Sequence, residues 1–393
     1  MRIGLDTNSV LAQRSGAATY FLELLPSLLA HAVGRDELIV LHGEEDDATP
    51  LAFLLRNEKL SERTAPFGGR RSNGLWRLLS FPAVERFVND GEQQFGLDVC
   101  HTLAPPLMPS RAATRVLTLH QMQPTRGGRL PAPLRRSLAA ANRVICTSNR
   151  LKQQVQTAIA KTPRCERLAD KLTVVPPGVH PRFRETPKAA SIETLFQRFP
   201  FLEEPYLLCT DLSANQGALL MLLEAWARAQ SQVAELPPIV MCVTADASFE
   251  VMDLLRREGF EGRLLLIEEP EVELLPALYR GANCLLSPSQ QFEYGIPVLE
   301  AAAAGIPAIV GEECGALEEL GSALLVPEND SPEAWAHSML RMQESPEERR
   351  GRGREGRDRA AAVTWEKAAA RHWKIYRGLV TGEIDLAQLQ AQL

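Results

Sequence analysis

Short apolar runs alternate with amphipathic stretches from the start of the chain. Residues 3–6 read as a strand, a polar stretch with Ser15 and Gly16 follows, and apolar residues then recur at helical spacing over about 17–32. Residues 37–41 read as a second strand and 43–50 as an acidic surface loop. Further strands are predicted at 97–101, 115–119, 144–147 and 172–175, with helical stretches between most of them. Strands that alternate with helices imply a parallel sheet covered by helices on both faces.

The pattern breaks at Pro176-Pro177-Gly178 and stays irregular through Pro187 to Pro200 and Pro205, the best candidate for a linker. It then restarts. Strands are predicted at 206–209, 238–243, 263–267, 282–287, 308–310 and 323–325, and helices at 218–229 and 332–341. A second doubly wound domain is the expectation. Residues 344–359 are dense in Arg, Glu and Gly and contain Gly351-x-Gly353-x-x-Gly356, the spacing of a dinucleotide-binding turn. No strand precedes it, so the motif fails its context and the stretch is read as an exposed, partly frayed helix. Trp365, Trp373 and Tyr376 mark a terminal helix that packs across the body.

Composition narrows the class. With 45% hydrophobic and 23% charged residues the chain can bury cores and is not disordered. No apolar run reaches the roughly 18 residues of a membrane span, and the first residues read as a strand, not as a signal peptide. The seven cysteines are scattered without a CxxC pair, against both a disulfide scaffold and a zinc cluster. The expectation is a cytoplasmic protein. The net charge of −6 conceals a basic segment, since residues 99–188 hold 16 Lys and Arg against 3 Asp and Glu. Such a face suits a solvated helix surface, an anionic acceptor, or peripheral contact with the inner leaflet. Nucleic acid is not expected, because no reading helix or stacking aromatics accompany the arginines.

Four stretches in order resemble the family 4 (group 1) retaining glycosyltransferases. They are Arg2-Ile-Gly-Leu-Asp6 with Ser15-Gly16-Ala17-Ala18-Thr19-Tyr20, then Val116-Leu-Thr-Leu-His120-Gln121, then Val174-Val-Pro-Pro-Gly178-Val-His180, and Gly295-Ile-Pro-Val-Leu-Glu300 through Gly305 with Leu275–Asn283 before it. The resemblance implies an α/β chain of the GT-B fold. Two Rossmann-like doubly wound parallel-sheet domains face each other across a cleft, at 1–186 and 200–360, and a C-terminal helix over about 365–393 crosses back to the first. It also implies a nucleotide-sugar donor bound mostly by the second domain, with no cofactor and no metal.

Carried over one at a time, the family's site residues are only partly present. His120 and Glu293 are the catalytic candidates. Gly16, Asn215, Gln216, Gly295 and Glu300 are the donor-binding candidates, with Glu300 on the ribose hydroxyls. The family's first glutamate falls at Phe292, with Glu293 one position later. Its phosphate-binding Arg and Lys fall at Leu212 and Gly217, and Ala18, Thr19 and Gln121 depart from its pattern in the first domain. A helix N-terminus after Asp211-Leu-Ser-Ala-Asn215 can hold phosphate for ~0.3–2 kcal/mol, less than the ~3–4 kcal/mol lost with one preorganised donor. Arg14, Arg126 and Arg129 are candidate replacements. Structural alternatives stand beside these roles: His120 as a turn cap, and Glu300 as a complement to a helix dipole. The implied function is transfer of a hexose, with retention, to a lipid-linked or polysaccharide acceptor. The alternative is an impaired pseudo-glycosyltransferase that binds or directs a protein partner. Sequence names neither the sugar nor the base.

Overall fold

The computed structural model describes residues 1–7, 16–43, 49–65, 83–88, 96–112, 114–210, 216–233, 235–260, 264–288 and 294–382. The chain divides into two compact units, 1–178 with 365–393 and 179–364. No helix of the described residues is long and apolar enough to cross a membrane.

The first unit holds a seven-stranded sheet of β1 (Arg2–Asp6), β2 (Glu37–Gly43), β3 (Leu60–Ala65), β4 (Val99–Thr102), β5 (Thr114–Leu119), β6 (Arg143–Cys146) and β7 (Leu172–Val174). Its order is β3-β2-β1-β4-β5-β6-β7 and every pairing is parallel. Its helices are α1 (Gly16–His31), α2 (Glu85–Val88), α3 (Ala132–Ala140) and α4 (Asn149–Ala160). The acidic stretch 44–48 lies outside the described residues. Edge strand β3, Leu-Ser-Glu-Arg-Thr-Ala, is missing from the pattern-based reading because it is half polar. An edge strand needs only one buried flank.

The second unit repeats the plan. Its strands are β8 (Tyr206–Cys209), β9 (Ile239–Val243), β10 (Leu264–Glu268), β11 (Ala282–Ser287), β12 (Ala308–Val310) and β13 (Leu324–Leu325). They form a parallel sheet in the order β10-β9-β8-β11-β12-β13. Its helices are α5 (Ala189–Arg198), α6 (Gln216–Gln230), α7 (Ala245–Arg257), α8 (Leu275–Gly281), α9 (Ile296–Ala304), α10 (Leu317–Leu320), α11 (Pro332–Glu344) and α12 (Pro346–Ala360). Alternation along β8 sends Tyr206 and Leu208 into one core and Leu207 and Cys209 into the other, so both faces are buried. Helix α5 occupies part of the segment expected to be linker. Pro187 and Pro200 bracket it, which leaves the helix legal between two breaks.

Helix α12 corrects the expectation of an exposed, frayed stretch. It is a continuous helix of 15 residues with Gly353 and Gly356 buried. A Cβ on Gly353 would lie 2.2 Å from the Gly305 carbonyl oxygen, and one on Gly356 would lie 3.3 Å from the Ala302 Cβ. The glycine spacing is thus a packing face that lets α12 close on α9, with no phosphate turn.

The last helix among the described residues, α13 (Trp365–Thr381), clusters with the first unit, where it packs on α1. The Trp373 indole N–H donates to the Leu28 carbonyl at 2.9 Å, and Arg377 stacks on Trp373 while pairing with Asp36 at 3.3 Å. Residues 383–393 are outside the described set.

Candidate functional site

In open parallel sheets, ligands bind beyond the carboxyl ends of the strands where the strand order reverses. In the second unit that point is the β8–β11 pair, with β9 and β10 on one side and β12 and β13 on the other. Thr210 directly follows β8. Its Oγ1 lies 3.4 Å from the Tyr279 hydroxyl, which donates to Glu300 Oε2 at 2.7 Å. Tyr279 is fully buried on α8, and burial, reinforced by the Glu300 carboxylate, holds its phenol well above the ordinary range. The hydroxyl therefore keeps its proton and fixes one oxygen of Glu300.

Glu300 is the fifth residue of α9, past the first turn, and the first turn carries no acidic residue. That removes the helix-dipole alternative, whose effect fades within one turn. Its backbone position is set by Gly295, which precedes the helix with φ 85° and ψ 56°. A Cβ there would sit 2.8 Å from the Cys314 sulfur, so only glycine fits. Pro297, near the helix start, needs no N–H partner.

Of the other donor candidates in this unit, Gln216 and Gly217 open α6, both exposed, just after the segment that follows β8. Gly217 brings no charge to that helix start. Asn215, Glu293, Leu212 and Phe292 lie outside the described residues. A surface groove of about 510 Å³ beside Ile192, Phe196 and Pro200 contains none of the candidates.

In the first unit the order reverses between β1 and β4. His120 follows β5, and its Nε2 bonds the Leu103 carbonyl, just past β4, at 2.9 Å. A carbonyl only accepts, so Nε2 carries the proton and Nδ1 is left as an acceptor. Desolvation pulls the imidazole down to about 4, against the opposing pull of the Leu103 carbonyl, so it is neutral at pH 7. His120 therefore does not replace a missing cation. Gly16 begins α1, and a Cβ on it would meet nothing within 4 Å, so this position does not demand glycine. Arg14 lies outside the described residues.

Sequence reasoning found one histidine where the structure groups three. His101 lies between the Tyr376 hydroxyl (2.6 Å) and Thr118 Oγ1 (2.8 Å), and His372 reaches the Tyr20 hydroxyl at 3.3 Å. The spacing of His372 and Tyr376, one turn apart on an aromatic helix, was the available signal.

The basic segment is divided. Lys171 is consumed by the carbonyls of Leu138, Ala139 and Ala141 at the end of α3, and Arg143 by that of Asp170. Arg182 and Arg184 belong to the second unit. Arg126, Arg129, Arg135 and Arg136 are exposed in the turn after His120 and on α3. Among the described residues no group of three or more His, Cys, Asp or Glu could hold a metal ion.

Residues 204–345, which include Gln216, Tyr279, Gly295 and Glu300, match a family model described as Glycosyl transferases group 1. A D-inositol 3-phosphate glycosyltransferase of Segniliparus rotundus is 25% identical over 302 residues, 74% of this chain and 63% of the relative. That of Corynebacterium glutamicum is 29% identical over 128 residues, 32% of this chain and 30% of the relative. The chain thus spans less than two thirds of the length of these curated relatives. Among solved structures, Anabaena HepE in complex with UDP-glucose superposes with a TM-score of 0.69 at 14% identity, covering 96% of this chain and 100% of HepE. WaaG, a glycosyltransferase involved in lipopolysaccharide biosynthesis, superposes with a TM-score of 0.67 at 15% identity, covering 96% and 100%. The fold is GT-B, built of two Rossmann-like parallel-sheet α/β domains.

Proposed function

We propose that this protein is a family 4 glycosyltransferase that moves a hexose from a nucleoside-diphosphate sugar to a lipid-linked or polysaccharide acceptor. Transfer retains the anomeric configuration and uses no metal ion. The observation that carries the reading is Glu300, held by Tyr279 at the strand-order reversal of the second unit, inside the segment that matches the group 1 model. A carboxylate oriented by a tyrosine hydroxyl at this point is an acceptor suited to a ribose diol, which offers two O–H donors.

In this reading the second unit takes the nucleotide. Glu300 accepts from the ribose, and the start of α6 with Asn215 and Gln216 faces the diphosphate, whose charge grows as the bond to the sugar breaks. Gly295 shapes the backbone beside it. The first unit supplies His120, whose Nδ1 accepts from a hexose hydroxyl, and Glu293 contacts the sugar. Arg126 and Arg129, with the exposed arginines of α3, meet an anionic acceptor or the inner leaflet of a membrane. The glycosyltransferase activity named for the relatives supports glycosyl transfer, and the UDP-glucose bound to HepE supports a UDP-type donor.

A second reading, a pseudo-glycosyltransferase that binds without turnover, is favoured by one observation: α6 opens with uncharged Gln216 and Gly217 where the family places a lysine. Incubation with UDP-, GDP- and dTDP-hexoses, with release of nucleoside diphosphate followed by phosphorus NMR, separates the two. The transferase reading expects release from at least one donor and its loss in Glu300→Gln. Saturable binding with no release in the presence of lipid-linked and glycan acceptors would establish the second.

A further inference from the structure

Beside His120 the first unit holds a buried polar network. Tyr20, His101, His372 and Tyr376 are each fully buried, and Tyr20 is flanked edge-to-face by His120 at 4.8 Å and Trp365 at 5.3 Å between ring centroids. The tautomers follow from the partners. His372 Nδ1 meets the Ala368 carbonyl at 2.7 Å and must donate, so its Nε2 accepts the Tyr20 hydroxyl proton. Both nitrogens of His101 are bonded as well. Of the six ring nitrogens on His101, His120 and His372, only His120 Nδ1 is left without a partner among the described residues.

A phenylalanine would fill the Tyr20 site without the cost of burying a hydroxyl, which is tolerable only when its bond is made. The phenol therefore does something that packing alone does not need. We propose that Tyr20 is a positioning residue for His120: its ring fixes the tilt of the imidazole, its hydroxyl is anchored by His372, and the C-terminal helix α13 thereby sets the direction of the one open nitrogen. The neutral state of His372, drawn down to about 4 by burial, is the one in which Nε2 accepts.

The inference rests on the reading of His120 as the sugar contact, and its test keeps the two apart. Two-bond proton–nitrogen NMR of histidine-labelled full-length protein, with the His120 signals identified by His120→Gln, reads the tautomer and ring environment without any turnover. Tyr20→Phe keeps the ring and loses the anchor, His372→Gln loses the anchor from the other side, and Tyr20→Leu removes the ring. The expected result is a fixed Nε2–H form in the wild type, broadened or averaged signals in His372→Gln and Tyr20→Leu, and a milder change in Tyr20→Phe. In donor turnover, kcat falls about tenfold in Tyr20→Leu and two- to threefold in Tyr20→Phe, with KM for the donor within twofold. His120 signals and kcat that stay at wild-type values in Tyr20→Phe and His372→Gln would overturn the proposal, even if Tyr20→Leu does not fold. A wild type that consumes no donor sinks the sugar-contact reading instead, while the NMR arm still decides the positioning.

Discussion

Two glycines on α12, two residues apart, respond oppositely to the same change. Gly351→Ala adds a methyl into space, since nothing lies within 4 Å of a Cβ there. The substitution gains helix propensity, about 0.5–1 kcal/mol. At Gly353 the same methyl would lie 2.2 Å from the Gly305 carbonyl oxygen and 3.0 Å from its carbon. A comfortable C···O contact is ~3.3 Å, so α12 must back away by about 1 Å. The obstacle is backbone, at a helix end where Gly305 itself holds φ 81°, and it cannot swing aside as a side chain would. Overpacking of this kind costs up to ~3 kcal/mol, against a propensity gain of ~1 kcal/mol, a net loss of about 2 kcal/mol. In urea, at ~2 kcal/mol/M, the midpoint of the second unit drops by ~1 M for Gly353→Ala and rises slightly for Gly351→Ala. Fluorescence of Trp226 and Trp335, both buried in that unit, reports it. Nucleotide affinity is unchanged in Gly351→Ala, because the motif packs helices and holds no phosphate. A Gly353→Ala protein as stable as the wild type, or loss of nucleotide binding in Gly351→Ala, would refute this account of the motif.

Three further outcomes are expected. Gly295→Ala combines a left-handed backbone, worth ~1–2 kcal/mol, with the clash at Cys314, and lowers the melting temperature accordingly. Tyr279→Phe removes the donor to Glu300 and weakens nucleoside diphosphate binding three- to tenfold by calorimetry, ~0.6–1.4 kcal/mol, within the net worth of one hydrogen bond. His372 is neutral when folded, with its pKa drawn down to about 4, and protonates near 6.5 when unfolded. Its contribution to stability is therefore full above pH 6.5, declines as pH falls toward 4, and amounts to about 3 kcal/mol over that interval. His101 adds in the same direction, so a urea midpoint that holds constant between pH 7 and 4 would contradict the buried neutral network.

What could be read in advance follows physical range. Period-two and period-3.6 patterns are local, so most strands and the α1, α6 and α11 helices are visible as apolar runs. Strand β3 and helix α5 were hidden because one is a half-polar edge and the other sits between prolines. Helix α12 was misread because its glycines look permissive until the Gly305 carbonyl is placed against them. Glu300, Gly295 and His120 stood out through their motifs. Their partners did not: Tyr279 is 21 residues from Glu300, and His372 is 352 from Tyr20. Nothing in a linear pattern couples positions that distant, and tertiary packing alone decides them.

Calorimetric titration of the full chain with UDP, set beside Glu300→Gln, decides whether Glu300 holds the nucleotide. The account predicts saturable one-to-one binding in the wild type, weakened at least tenfold by the substitution, with both proteins equally folded. A wild type that takes up no UDP, or a Glu300→Gln protein that binds UDP as tightly as the wild type, would contradict it.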